Sequence, residues 1–166
     1  EIVACADIRA EAAKETAERW GIGEWFTDPQ EMLDKYAGQL DIVSVCTPNM
    51  AHPTISIDFL RAGKNVLCEK PAARTYAEAL EMQKAQHETG KILNIGVCNR
   101  YHRSVEILEE KVRNGEFGNV YHIYCSFRSC RSIPGLGGAF TDKKQSGGGV
   151  LIDWGIHFFD LILYML

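Results

Sequence analysis

One lysine stands where it could take part in acid–base chemistry. Lys70 directly follows the apolar run 65–68, between Glu69 and Pro71, and the proline ring restricts the backbone there. A lysine placed in this way can be partly desolvated and can donate a hydrogen bond to a substrate oxygen. The alternative interpretation is a salt bridge of Glu69 and Lys70 at the end of a strand.

A second cluster lies near the end of the chain, where the glycines 147–149 precede Asp153, His157 and Asp160. Spacings of four and three place these side chains on one face of a helix. A carboxylate in the first turn is favoured by the helix dipole and can fix the tautomer of a nearby histidine. We therefore predict that His157 is an acid or base and that Asp153 orients it or a neighbouring hydroxyl. A structural histidine remains an alternative, and a metal site lacks a third strong ligand group.

The elements that must position these residues alternate along the first hundred residues. Apolar strands are predicted at 2–7, 40–46, 65–68 and 91–97, and helices at 11–20, 30–36, 53–61 and 75–87. Strands without polar alternation, separated by helices, predict an α/β fold with a doubly wound, Rossmann-like parallel sheet. Each strand ends in a polar cluster, and ligands bind at that edge of an open parallel sheet.

The pattern changes after residue 104. A helix is predicted at 104–114, a long alternating strand at 120–129, a glycine-rich loop at 133–149 and a helix at 152–166. The alternation predicts an antiparallel sheet with one covered face. We place a first domain at 1–101 and the start of a second, incomplete α/β domain with an open antiparallel sheet at 102–166. Because both ends fall inside element patterns, we expect an internal fragment that lacks the first Rossmann strand and its glycine loop.

Asp7 and a short run after the second predicted strand are candidates for binding a dinucleotide. An acidic residue at the position of Asp7 accepts hydrogen bonds from the adenosine ribose and disfavours a 2′-phosphate. This predicts NAD rather than NADP; a helix cap is the alternative, and Arg9 could favour NADP or be an ordinary surface residue. Thr47 and Asn49, with His52 nearby, stand where the strand becomes a helix, and Asn49 could instead cap that helix.

Composition excludes several classes of protein. The 166 residues are 46% hydrophobic and 24% charged, with a net charge of −4, which argues against disorder, nucleic acid and a polybasic membrane partner. No apolar run reaches the roughly 18–20 residues that span a bilayer. The six cysteines form no CxxC pair, and most lie in apolar runs, so we expect reduced thiols and a cytoplasmic protein.

Three motifs carry a resemblance to a known family. The runs 46–49 (CTPN), 68–71 (CEKP) and 147–160 (GGGVLIDWGIHFFD) resemble the Gfo/Idh/MocA oxidoreductases, which include glucose–fructose oxidoreductase and inositol dehydrogenase. The resemblance implies a Rossmann domain, a C-terminal α/β domain, a nicotinamide cofactor and a sugar, polyol or glycoside substrate. It implies catalytic roles for Lys70, Asp153 and His157. The positions that it places on the cofactor side are Asp7, Thr47, Asn49, His52, Glu69, Lys70 and Arg100.

We accordingly predict an NAD-dependent oxidoreductase that moves a hydride between a secondary alcohol of the substrate and the nicotinamide ring. His157 would take the hydroxyl proton and Lys70 would hydrogen-bond the developing alkoxide. The alternatives are a sensor that binds the dinucleotide without turnover and a lyase or glycosidase that recycles NAD. An open sheet face predicts a homo-oligomer, a dimer or a tetramer.

Overall fold

A computed structural model describes residues 1–128 and 138–166. Its first part holds five short strands: β1 (Cys5–Ala6), β2 (Trp25–Phe26), β3 (Ile42–Val45), β4 (Asn65–Cys68) and β5 (Leu93–Ile95). Four helices separate them: α1 (Ala10–Trp20), α2 (Pro29–Tyr36), α3 (His52–Arg61) and α4 (Tyr76–Thr89). This alternation confirms the predicted α/β fold class.

The strands pair in parallel in two groups. β1 pairs with β2, and β4 lies between β3 and β5, with Val45 opposite Cys68 and Cys68 opposite Ile95. Within the described residues, no ladder joins β1 to β3. Ala6 nevertheless packs against the same core as Val43, so the two groups lie side by side with a break in the hydrogen bonding between them.

The core forms where α3 and α4 cover the central strand. Phe59 and Leu60 of α3, Met82 of α4, and Val66 and Cys68 of β4 are each at most 1% exposed. Burying such apolar side chains is the dominant favourable term in folding. The core therefore fixes β4, and with it the start of the loop that follows Cys68.

Local signals in the sequence place several helix ends correctly. The Asp28 carboxylate accepts a hydrogen bond from the backbone N–H of Gln30 at 2.8 Å, which caps α2. Thr75 caps α4 in a capping box with Glu78. Gly90 ends the same helix with φ of +64°, a backbone conformation that favours glycine.

Other predictions are wrong in extent. The strands predicted at 2–7, 40–46 and 91–97 are shorter in the structure, and β2 was not predicted at all because two residues carry no alternation to detect. The segment 120–128 forms no strand, although one was predicted at 120–129. A strand needs a hydrogen-bonded neighbour, and none pairs with this segment among the described residues.

The second part of the chain is helical where it is described. α5 (Arg103–Arg113) agrees with the predicted helix at 104–114. A short helix α6 (Lys143–Ser146) lies inside the predicted loop 133–149, whose first residues fall outside the described part of the chain. A π-helical turn, Leu151–Gly155, then leads into α7 (Ile156–Met165).

The helical run Lys143–Met165 is long and apolar enough, by length and composition alone, to cross a membrane. This corrects the prediction that no segment reaches that length; the run meets the criterion because few charges interrupt its apolar residues. Core helices of soluble proteins meet it too. Here the two carboxylates of the run, Asp153 and Asp160, pair with Lys70 and Arg100 of the first part.

Candidate active site

The polar clusters that follow β3 and β4 meet at one edge of the sheet. His52, which is 1% exposed, joins them: its Nδ1 lies 2.8 Å from the Pro71 carbonyl oxygen and its Nε2 lies 2.8 Å from that of Thr47. Both ring nitrogens are therefore engaged by backbone groups. These contacts link the two loops through His52, and its assignment to the cofactor side stays a prediction.

Lys70 reaches across to the second part of the chain. Its Nζ donates to the Asp153 carboxylate at 2.7 Å and to the Asp153 backbone carbonyl at 2.9 Å. The lysine side chain is 19% exposed and the carboxylate 33%, so water screens this pair only in part. Two residues 83 positions apart are thus held in direct contact at the edge of the sheet.

His157 lies one turn further along and is 8% exposed. Burial, followed by the nearby Lys70 cation, lowers its pKa, while the carboxylates of Asp153, Asp160 and Glu69 act in the opposite direction. The ring is therefore neutral at physiological pH and can accept a proton. Its Nδ1 has no hydrogen-bond partner among the described residues.

Each of the two flanking carboxylates is paired with a cation of the first part. The Asp153 carboxylate accepts from Lys70, and its orienting of His157 or a neighbouring hydroxyl stays a prediction. Asp160 is held by Arg100, whose Nε donates to it at 2.6 Å and whose second guanidinium nitrogen completes a bidentate pair. Arg100 also lies over the Tyr164 ring, at 5.1 Å from its centroid. These contacts anchor α7 to the turn after β5.

The helical turn that carries Asp153 is wider than the α-helix that the spacing predicted. Residues Leu151–Gly155 form a π-helical turn, and such turns are frequent at functional sites. Trp154 in this turn stacks on Phe127 with ring centroids 4.5 Å apart and lies 5.8 Å from the His157 ring. The indole thus forms part of the wall that keeps water from His157.

Glu69 and Asp7 lie at the same ends of their strands as predicted. Glu69 accepts from the Lys70 backbone N–H at 3.1 Å and lies against Gly96, where a Cβ would come within 3.1 Å of its carboxylate. Asp7 accepts from the Arg9 backbone N–H at 2.9 Å. Arg9, not Asp7, occupies the N-cap position of α1, and no side chain caps it. The alternative of Asp7 as a helix cap is therefore wrong.

Thr47 and Asn49 line a cavity of about 200 Å³, together with Cys46, Pro48, Ala139, Phe140 and Ser146. The Asn49 side chain does not cap α3, whose N-cap is Ala51; its amide donates instead to the Ser146 carbonyl at 2.9 Å. Phe140 and Ala139 were not predicted as part of any site. An apolar wall beside a few polar groups is typical of a small-molecule pocket.

Arg74 is a further residue that the sequence did not single out. Its guanidinium donates to the Lys144 carbonyl at 2.7 Å and to the Glu78 carboxylate at 2.7 Å. The sequence predicted a helix at 75–87, but no pattern indicated that the residue before it reaches a carbonyl 70 positions away.

Comparisons with known proteins agree with this arrangement. Residues 1–97 match a family model described as the oxidoreductase family with an NAD-binding Rossmann fold, and residues 105–166 match the GFO/IDH/MocA C-terminal domain. D-Glucoside 3-dehydrogenase of Escherichia coli K12 is 40% identical over 167 aligned positions, which cover 100% of this chain and 46% of that protein.

Two solved structures have closely similar folds. An NAD-binding protein from Listeria innocua gives a TM-score of 0.85 at 28% identity, over 100% of this chain and 47% of that one. Levoglucosan dehydrogenase, in complex with NADH and levoglucosan, gives a TM-score of 0.83 at 25% identity, over 99% of this chain and 44% of that one.

The chain spans about half the length of these relatives. Its two parts match the two family models in the same order as they occur along the sequence. The resemblance carried by the CTPN, CEKP and GGGVLIDWGIH motifs is thereby confirmed, with NAD as the cofactor of the matched fold. The chain belongs to the Gfo/Idh/MocA oxidoreductase family.

Proposed function

We propose that the protein containing this chain is an NAD-dependent oxidoreductase that oxidises a secondary alcohol of a sugar, polyol or glycoside. One observation carries the proposal: Lys70, from the loop after β4, contacts Asp153 next to the buried His157. A protein that only binds a dinucleotide needs no such group of proton-transfer residues. The similarity to D-glucoside 3-dehydrogenase and to levoglucosan dehydrogenase supports the substrate class.

The described residues fit a nicotinamide dinucleotide. The Asp7 carboxylate stands at the carboxyl end of β1, is 39% exposed and forms only local contacts with Arg9, so it is available to ribose hydroxyls. The cavity beside Thr47 and Asn49 lies at the end of β3, at the same edge. NAD rather than NADP remains a prediction that rests on Asp7.

Each of the three catalytic residues has a separate task in this mechanism. When bound, NAD would supply the hydride acceptor for the oxidation of the carbinol carbon to a ketone. His157, neutral because its pKa is lowered by burial and then by Lys70, takes the hydroxyl proton. Lys70 donates a hydrogen bond to the oxygen as negative charge develops there. Asp153 fixes the Lys70 ammonium in place through its carboxylate and its carbonyl.

The test is the absorbance of NADH during incubation of the full-length protein with NAD and a panel of glucosides, anhydrosugars and inositols. We expect turnover with at least one of them. Replacing His157 by alanine should lower kcat by about 10²–10⁴-fold and leave NADH affinity similar, because positioned proton transfer typically contributes that much. His87→Ala, at an exposed histidine of α4, is the matched control and should keep full activity.

The same experiment separates the alternatives. Tight NADH binding, without NADH formation from NAD and any substrate of the panel, would favour a sensor. Substrate consumption without accumulation of NADH would favour a lyase or glycosidase that recycles NAD. Full activity of His157→Ala would reject His157 as the base.

Two further properties belong to the proposal. We propose a homo-oligomer, supported by the exposed aromatic side chains of Tyr121, Tyr124 and Phe127 on one segment. We also propose a cytoplasmic location, supported by the free thiols of the described cysteines. Cys130 lies outside the described residues.

A further inference from the structure

Three side chains of the first part of the chain donate to backbone carbonyls of the segment 143–153. Asn49 Nδ2 donates to Ser146 at 2.9 Å and Arg74 Nη1 to Lys144 at 2.7 Å. Lys70 Nζ donates to Asp153 at 2.9 Å. We call Asn49, Lys70 and Arg74 the carbonyl clamp. It holds the backbone that leads from α6 into the π-helical turn.

Arg74 is held rigidly before it meets that segment. Its Nη2 donates to the Glu78 carboxylate at 2.7 Å, and its backbone N–H donates to the other oxygen of the same carboxylate at 3.0 Å. Glu78 is itself fixed by the capping box with Thr75. A guanidinium fixed in this way loses little further freedom when it binds a carbonyl, because its planar fork is already oriented.

The glycine after α6 lets the segment lie directly on the Arg74 side chain. Gly147 has φ of +86°, and a Cβ at this position would stand 2.7 Å from Arg74 Cβ. Both the backbone conformation and the contact therefore require glycine. The segment rests against the aliphatic stem of Arg74, and the guanidinium binds the carbonyl of Lys144, so Arg74 holds it at two points.

We propose that Arg74 and Asn49 are positioning residues that hold the segment carrying Asp153 and His157 in register with Lys70. The proposal rests on the dehydrogenase function proposed above. Without these two donors, among the described residues, Lys70 would supply the remaining side-chain hydrogen bonds from the loops after β3 and β4 to the segment. Lys70 must also serve the reacting oxygen, so it cannot by itself fix the backbone. Neither Arg74 nor Asn49 needs to contact substrate for this role.

The test compares Arg74→Ala and Arg74→Lys in the full-length protein. Displacing reacting groups by about 1 Å can cost about 10²-fold in rate, so we expect kcat to fall about 10- to 100-fold in Arg74→Ala. Arg74→Lys should recover part of the loss, because an ammonium can still donate to the Lys144 carbonyl. NADH affinity, measured by fluorescence titration, should stay close to that of the wild type. The control is Arg103→Ala, which removes an exposed pair with Glu106 on α5.

A second readout does not depend on activity. Amide hydrogen exchange across 143–153 should be faster in Arg74→Ala than in the wild type and unchanged in Arg103→Ala. The fold-loss of kcat in the double variant Arg74→Ala/Asn49→Ala should be smaller than the product of the two single-variant fold-losses, because both donors hold the same segment.

Wild-type kcat and wild-type exchange in Arg74→Ala would overturn the proposal. So would a loss that Arg74→Lys does not relieve and that lowers NADH affinity equally, since that pattern indicates general structural damage. If the wild type itself turns over no alcohol, the proposed function fails, and the exchange measurement still decides whether Arg74 holds the segment.

Discussion

Burial and a neighbouring cation together lower the pKa of His157. The ring is 8% exposed and is bordered by Trp154, whose centroid lies 5.8 Å away. Desolvation disfavours the imidazolium, and the Lys70 cation disfavours it further, so the pKa of His157 lies below its usual value. Of the carboxylates that oppose this shift, Asp153 and Asp160 are already paired with cations.

A pH profile tests this directly. Because the base must be neutral, kcat/KM should fall as the pH drops through the lowered pKa of His157, with a midpoint below about 6.5, the ordinary value for histidine. Trp154→Ala should admit water and move the midpoint upward, whereas Trp20→Ala, at an exposed indole on α1, should leave it unchanged. A wild-type midpoint at or above the ordinary value would contradict this account.

The same pKa shift has a consequence for stability. The folded pKa lies below the unfolded one, so the unfolded chain takes up the proton first as the pH falls. The contribution of His157 to the free energy of unfolding is therefore fully present above the unfolded pKa and is lost as the pH drops towards the folded value.

Some residues of the candidate site could be predicted from sequence and others could not. Lys70, Asp153 and His157 stand out because their types are unusual beside apolar runs and proline or glycine. Arg74 could not be found, because its partner is a backbone carbonyl, which every residue carries. The contacts of His52 could not be predicted for a related reason, because both of its partners are backbone carbonyls.

The helices follow local chemistry more faithfully than the strands do. α2, α4 and α5 begin within a residue or two of their predicted starts because capping side chains and glycine stops act within one turn. Strand bounds depend on partners that are distant in sequence. The segment 120–128 has the alternation of a strand but no paired neighbour among the described residues, so alternation alone misled the prediction.

Removing the cap of α4 tests how much local capping contributes to stability. Thr75→Ala removes the side-chain oxygen that accepts from the Glu78 backbone N–H at 3.2 Å. We expect the free energy of unfolding to fall by about 1 kcal/mol, the typical cost of losing a threonine cap, in urea denaturation. Thr54→Ala, at an exposed position within α3, is the control. Equal stability of Thr75→Ala and the wild type would show that the capping box adds nothing measurable.

At the scale of the whole molecule, polar contacts join the two matched parts near the candidate site. Lys70–Asp153 and Arg100–Asp160 are ion pairs, and Asn49 and Arg74 add bonds to carbonyls. The relative position of the parts therefore depends on charges at the edge of the parallel sheet. The domain boundary near residue 101 remains a prediction.

Substitution of Arg100 tests whether these charges stabilise the contact between the two parts. Its partner Asp160 is 11% exposed, so Arg100→Ala would leave a nearly buried carboxylate without its bidentate donor. We expect a loss of about 2 kcal/mol in the free energy of unfolding, in the range for hydrogen bonds to charged groups. Arg103→Ala removes an exposed pair with Glu106 and should change stability by less than about 0.5 kcal/mol. If thermal unfolding shows that Arg100→Ala and Arg103→Ala both lower the free energy of unfolding only slightly, the Arg100–Asp160 pair does not stabilise the contact between the two parts.

The break between the two groups of strands has a practical consequence. Within the described residues, β3 forms a ladder only with β4, which leaves the peptide groups on its other side without strand partners, and Ile42 beside them is 59% exposed. An unsatisfied strand edge flanked by a bare aliphatic side chain recruits other extended chains. These 166 residues produced by themselves should therefore self-associate through β3, and an extended peptide that occupies that edge should suppress the association.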